Sequence, residues 1–215
     1  MTGIKAILAL LVFSFAAGCA SYRIGGEVQP GRYALNRGDA KAALFHFQRA
    51  AEMDPDYVTD FTLLPQGIWT YIGKAYYTLG NLAEARKALE RANSLHKDDY
   101  LADLYLGLVL ARQGDWERGR KDIQAGLSGI HNWLEYVDAY HPDGRYWDPG
   151  RIIRTQIERD LQLIAGGDVD RKEIISRGEY IGYKIEREID QAPIRWRRAL
   201  RDSDGRDRGR GGRSK

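Results

Sequence analysis

Two glycine pairs with the same spacing constrain this chain more than any other feature. Gly73 and Gly107 stand 34 residues apart, and so do Gly80 and Gly114. Self-similarity at a period of 20–50 residues marks stacked supersecondary units, none of which buries its apolar face alone. Gly38, Gly80 and Gly114 are each followed by a helix N-cap type, Asp39, Asn81 or Asp115. A residue that tolerates the left-handed conformation, then a side chain that accepts from free amides, ends one helix and starts the next. Asn81 with Glu84 three residues on also forms a capping-box pattern. The 42 residues from Gly38 to Gly80 leave about eight extra residues between the first two units, around Asp56–Gln66. With 43% hydrophobic and 29% charged residues in 215, the chain can build a core and keep a wet surface. One Cys excludes an internal disulfide framework.

Around the second unit the series Trp69, Ile72, Gly73, Tyr76, Gly80, Ala85, Leu89, Ala92 resembles the tetratricopeptide repeat (TPR) position for position. The third unit keeps Leu106, Gly107, Leu110, Gly114 and Ile123. It departs at Asp103, where Trp is usual, and at Gly119 and Gly126, where Ala is usual. The first keeps Gly38, Ala43, Phe47, Ala50 and Pro55 in its second half. Its first half is poor, with Pro30, Gly31 and Ala34 in the Leu, Gly and aromatic places. The resemblance covers residues 28–130. It implies an all-α fold, a TPR-type helix-pair solenoid of about three repeats, here assigned to 31–130 and capped by two longer C-terminal helices.

Upstream, one Lys precedes an unbroken apolar or small run from Ala6 to Gly18. At 1.5 Å per residue that run spans roughly 20 Å, short of the ~30 Å hydrocarbon core of a bilayer. A short charged start, a short apolar run and small residues form a secretion signal. Ala16-Ala17-Gly18-Cys19 resembles the bacterial lipobox, and Cys19 is the only Cys. The resemblance implies a signal peptide over 1–18, acyl chains (palmitate among them) on Cys19 and a bilayer as partner. Ala20 in place of Asp implies export to the outer membrane, facing the periplasm. Residues 19–30 read as a lipidated linker.

After Gly129 the repeat pattern is lost. Residues 131–200 read as an aromatic loop around Pro142-Asp143-Gly144, followed by helices. Asp148-Pro149 signals one helix start, with Ile153, Ile157, Leu161 and Ile164 as its stripe and Gly166-Gly167 as its end. Asp170 with Glu173 opens another, striped by Ile174, Gly178, Ile181, Ile185 and Ile189, with Ile175 and Gly182 alongside, and interrupted at Pro193. Residues 201–215 read as a disordered Arg/Gly tail. Residues 192–215 carry nine Arg/Lys against three Asp, so a basic end sits on a mildly acidic body.

Nucleophile elbows, phosphate loops, dinucleotide glycine clusters and HExxH helices are not found in the sequence. His131 and His141 with Asp138, Asp143 and Asp148 lack strong ligand spacing. Asp168, Asp170 and Glu179 mimic the ends of a calcium loop, yet Glu173 and Lys172 stand at the glycine and a ligand position. The expectation is therefore a non-enzymatic protein with no catalytic residue, no metal, no cofactor and no nucleic acid partner. Mapped by the TPR resemblance, the partner-binding groove falls on Thr70, Lys74, Tyr77 and Thr78 in the second unit. In the third it falls on Leu101, Leu104, Leu108, Ala111 and Arg112. An apolar groove of this kind is filled either by a partner segment or by the chain's own helix at about 171–190. The implied role is an outer-membrane-anchored scaffold or assembly factor for other envelope proteins. A second reading is a peptidoglycan- or glycan-associated module using Trp133, Tyr136, Tyr140, Tyr146 and Trp147.

Overall fold

A computed structural model describes residues 23–59, 62–167 and 170–210, with side chains through Ser203. The signal peptide, Cys19 and residues 211–215 lie outside the described residues. Eight α-helices account for most of what is described: α1 (23–36), α2 (Ala40–Met53), α3 (Ile68–Thr78), α4 (Leu82–Leu95), α5 (Tyr100–Arg112), α6 (Trp116–Tyr140), α7 (Ile152–Gly166) and α8 (Arg171–Arg210). A 3-10 turn at Gly144–Tyr146 follows α6. Among the described residues the only β pairing is an isolated bridge between Val58 and Gly67. The fold class is all-α, built of TPR-type helix pairs. No described helix is long and apolar enough to cross a membrane.

The repeat junctions form as their local chemistry dictates. Gly38, Gly80 and Gly114 have φ of 84°, 75° and 96°, where only glycine is unstrained. The side chains of Asp39, Asn81 and Asp115 accept from the amides of Ala42, Glu84 and Arg118. The capping box is one-sided, because the Glu84 carboxylate takes Lys87 Nζ at 2.7 Å.

Contacts divide the chain into two units, one of residues up to 102 without 62–64, the other of 62–64 and residues from 103. In the first, α1–α4 enclose Val28, Phe47, Tyr71, Ile72 and Ala75, with Phe47 and Tyr71 stacked at 5.1 Å. The linker expected at 19–30 is corrected from residue 23 on, because α1 is a full first helix. Gly25, Gly26, Pro30 and Gly31 give it poor helix propensity, but packing outweighs propensity. Ile24 and Val28 are buried, Gly31 admits the Phe47 ring, and Glu27 holds both His46 (2.7 Å) and Arg49 (3.1 Å) of α2. The extra residues before α3 close on themselves, through Thr59 N to the Gln66 carbonyl (3.0 Å) and Ile68 N to the Tyr57 carbonyl (2.9 Å).

A glycine faces the bulky residue sixteen positions later in all three pairs: Gly31 with Phe47, Gly73 with Leu89, Gly107 with Ile123. The third pair is the tightest. A Cβ on Gly107 would lie 2.4 Å from Ile123 N, one on Gly119 2.6 Å from Ala111 N, and one on Gly126 2.5 Å from Leu104 N. Alanine is replaced by glycine at 119 and 126 because α5 and α6 meet backbone to backbone.

The second unit departs from expectation in three places. Residues 131–140 are not a loop but the last part of the 25-residue α6, whose inner face carries buried Leu134 and Val137. Helix α7 begins at Ile152 rather than at Asp148-Pro149, since Asp148 and Arg151 take positive φ of 46° and 53°. Asp148 still caps it from a distance, accepting from Ile153 N and Arg154 N, both at 3.0 Å. Buried Arg154 in turn reaches Asp148 (3.3 Å) and Asp138 (2.8 Å), tying α7 to α6. Finally, α8 passes through Pro193 to Arg210, so neither the interruption nor disorder from 201 holds for the described part. Arg195 clasps Glu188 (2.6 and 3.0 Å), Gln191 (2.8 Å) and the Tyr146 carbonyl (2.7 Å), fastening both sides of the proline. Beyond it, Asp202 and Asp204 precede Arg206 and Arg208 by four, the spacing and order that favour helix.

Candidate interaction surfaces

The groove positions of the second repeat form a buried polar core instead of an open lining. Thr70, Lys74 and Tyr77 are 0%, 2% and 5% exposed. The Asp99 carboxylate organises them, accepting from Gly67 N (2.8 Å), Thr70 Oγ1 (2.6 Å) and Ala102 N (3.1 Å). Lys74 Nζ donates to Gln66 Oε1 (3.3 Å) and sits 5.1 Å from the centre of the Tyr71 ring. Burial raises the Asp99 carboxyl above its ordinary value, against the opposing pull of those donors and of Lys74. Thr78 alone of the four is exposed, its hydroxyl donating to the Lys74 carbonyl (2.9 Å). The open groove expected here is corrected: Thr70, Lys74 and Tyr77 are buried, with Thr70 donating to Asp99 and Lys74 to Gln66.

The third unit settles which occupant covers its apolar positions. Leu101, Leu104 and Leu108 are buried, and Ala111 is half-buried. Helix α8 lies over Leu104 and Leu108, with Gly178 as the point of closest approach, and Gly182 sits against the Tyr105 phenol. Arg112, exposed at the edge, donates to Glu179 of α8. Burial, with Glu186 and Glu179 nearby, pushes the Tyr105 phenol up. Ile174, Ile181, Ile185 and Ile189 of the expected stripe are all buried. The groove that the sequence leaves open to two occupants is therefore taken by the protein's own helix. Leu104→Glu is expected to cut amide protection in α8 residues 174–185 by about a hundredfold, because a carboxylate there has no paired cation. Hydrogen exchange measures this, and unchanged protection would show that α8 does not depend on that seat.

The first unit has an open cleft of about 540 Å³ between α2, α3 and α4. Trp69 and Tyr76, two turns apart on α3, line it with Gln48, Glu52, Lys87 and Arg91 around a floor of Ala51, Ile72 and Ala88. The Arg91 guanidinium lies 3.9 Å from the centre of the Trp69 ring, and Trp69 Nε1 donates to the Pro55 carbonyl (2.7 Å). Gln48 donates to the Tyr76 hydroxyl (3.2 Å). These aromatics stand in the sequence as repeat-pattern residues, and nothing local shows that a cleft forms beside them. Fixed rings, an apolar floor and charges of both signs suit a peptide side chain.

The aromatic cluster of the second unit splits in two. Trp147 is 1% exposed and meets Trp133 edge-on at 4.9 Å, while Tyr146 leans on Trp196 at 5.6 Å. Tyr136 and Tyr140 (61% and 77% exposed) are the most exposed of the cluster, their rings paired at 5.2 Å, while Trp133 and Tyr146 are half-buried. His131 and His141 are not brought together. His131 faces Glu158 (3.1 Å) and Glu135 (4.0 Å), and His141 bonds Asp143. The ligand atoms of His131, Glu135 and Glu158 lie within 4.8 Å of one another. The Arg151 guanidinium, bonded to Glu135 and 3.9 Å from Glu158, already supplies a positive charge there. It also holds the Glu135 carboxyl below its ordinary range.

A tetratricopeptide repeat family model matches residues 72–128. A TPR repeat-containing protein of Pseudomonas aeruginosa is 39% identical over 61 residues, 28% of this chain and 50% of the relative. The match thus spans half the length of that curated relative. Repeats of this kind are associated with protein–protein interaction.

Proposed function

We propose that this protein is an outer-membrane lipoprotein, facing the periplasm, that acts without catalysis as a scaffold or assembly factor for other envelope proteins. The observation that carries the reading is the pairing of an interaction-type repeat over 72–128 with the Ala16-Ala17-Gly18-Cys19 series ahead of it. Acyl chains on Cys19 confine the helix pairs to a surface, which raises the effective concentration of any partner at the same membrane. The cleft beside Trp69 and Tyr76 is the surface left for a partner peptide, because the mapped groove of the third unit is occupied. Metabolic labelling with a palmitate analogue tests the anchor. Label is expected on the wild type and is expected to disappear in Cys19→Ser. Unlabelled wild type in a soluble fraction overturns the reading.

The exposed Tyr136 and Tyr140 pair favours one second reading, a glycan-associated module. Its test is retention on purified peptidoglycan. Loss in a Tyr136→Ala, Tyr140→Ala double variant supports it, and retention unaffected by both removes it. Trp147 is unsuited to such a test, since it is part of the core.

A further inference from the structure

We propose that the C-terminal end of α8 is an anionic-lipid binding surface, an interaction separate from the acyl anchor. The inference takes its setting from the envelope location proposed above, but its chemistry stands on α8 alone. Arg197, Arg198 and Arg201 are all exposed on this stretch of helix. Ile194 and Leu200 are exposed too, at 47% and 44%. Ile194, Arg197, Leu200 and Arg201 line one shallow face of about 520 Å³, which mixes apolar side chains with cations. Arg195 is already engaged by Glu188 and Tyr146, so it anchors the helix instead of contributing to the face. The charge is lopsided: nine Arg/Lys against three Asp over 192–215, while residues 1–191 sum to −3.

Charge complementarity selects the partner class. A protein groove would need a continuous apolar stripe on this helix, and Ile194 and Leu200 are separated by arginines. A bilayer needs only a few apolar side chains to enter the interface, with guanidinium groups reaching lipid phosphates from long stems. Each Arg held near an anionic surface contributes about fivefold in binding, and the contribution is screened by salt.

The test uses the complete chain carrying Cys19→Ser, so that no acyl chain contributes. Its binding to vesicles of phosphatidylcholine is compared with binding to vesicles containing 30% phosphatidylglycerol. The leader, with Lys5, is the same in every variant, so the part of the preference lost in the triple variant reports the cationic face. Roughly a hundredfold preference for the anionic vesicles is expected, falling to about threefold or less in Arg197→Gln, Arg198→Gln, Arg201→Gln and in high salt. Ile194→Ser, Leu200→Ser should weaken binding to anionic vesicles while keeping the salt dependence. Equal binding to both compositions, or a preference unaltered by the triple variant, overturns the proposal. Tighter binding to polyglutamate or to RNA than to the anionic vesicles overturns it as well, and assigns the face to an acidic polymer. Because the substituted side chains are exposed, an unchanged helical circular dichroism signal confirms that the variants are folded. Palmitate labelling on the wild type is independent of all these outcomes, so failure of the anchor and failure of this face are told apart.

Discussion

Gly107→Val is expected to destabilise the second unit by about 3 kcal/mol or more. A Cβ at this position falls 2.4 Å from Ile123 N and 2.7 Å from the Gly119 carbonyl oxygen. Both are backbone atoms inside helices, so no rotamer change relieves the clash, and α6 must move away from α5. That movement also opens the contacts of Gly119 with Ala111 and of Gly126 with Leu104. Valine adds a second branch and the χ1 restriction of β-branched residues in helices. Alanine at 107 gains about 1 kcal/mol of helix propensity, yet still meets the same two atoms, so a smaller net loss is expected. Gly26→Ala is the matched control. Among the described residues nothing lies within 4 Å of a Cβ added there, so only the propensity gain of roughly 0.5–1 kcal/mol remains. Urea unfolding followed by tryptophan fluorescence reads both variants, because Trp116, Trp133, Trp147 and Trp196 lie in the second unit with Gly107, and Trp69 lies in the first with Gly26. A midpoint for Gly107→Val at or above that of the wild type contradicts the packing described.

Asp99→Ala is expected to cost the first unit about 3–5 kcal/mol, because it strands the Gly67 amide, the Thr70 hydroxyl and the Ala102 amide without their acceptor. Loss of protection at α3 amides measures it, and wild-type protection would mean those donors find other partners cheaply. The same carboxylate sets a pH dependence. Burial raises its pKa in the fold above the unfolded value of roughly 3.9. The folded protein therefore holds this proton more tightly. Its contribution is complete below the unfolded pKa and is lost as pH rises through the folded one. Burial moves Asp122 and Asp160 in the same direction. Stability from these groups should fall on going upward from about pH 4, and Asp99→Asn should flatten that fall. An unchanged slope in the variant means another carboxylate carries it.

Several features of the fold were legible because their causes lie within a few residues of chain. The left-handed glycines and the caps that follow them are satisfied locally or between consecutive helices. Gly166-Gly167 likewise ends α7 where expected, with Gly167 at φ 82°. Where reading failed, a distant partner overruled a local signal. Pro30 and the glycines of α1 argue against helix until Phe47 and Glu27 supply contacts. Asp148-Pro149 marks a helix start until Asp148 folds back onto Ile153, Arg154 and Glu188. Pro193 marks a break until Arg195 bridges it.

The candidate surfaces divide along the same line. That Leu104 and Leu108 must be covered follows from their apolar character alone, since water exposure costs free energy in proportion to area. Which segment covers them does not follow, because burial of hydrocarbon is non-directional and any complementary face serves. Gly178 and Gly182 select α8 by letting it approach closely, a choice made in three dimensions. Thr70 and Lys74 are alike: their polarity dictates that they be solvated or paired, and only the placement of Asp99 against Thr70 and of Gln66 against Lys74 decides that they are paired and buried.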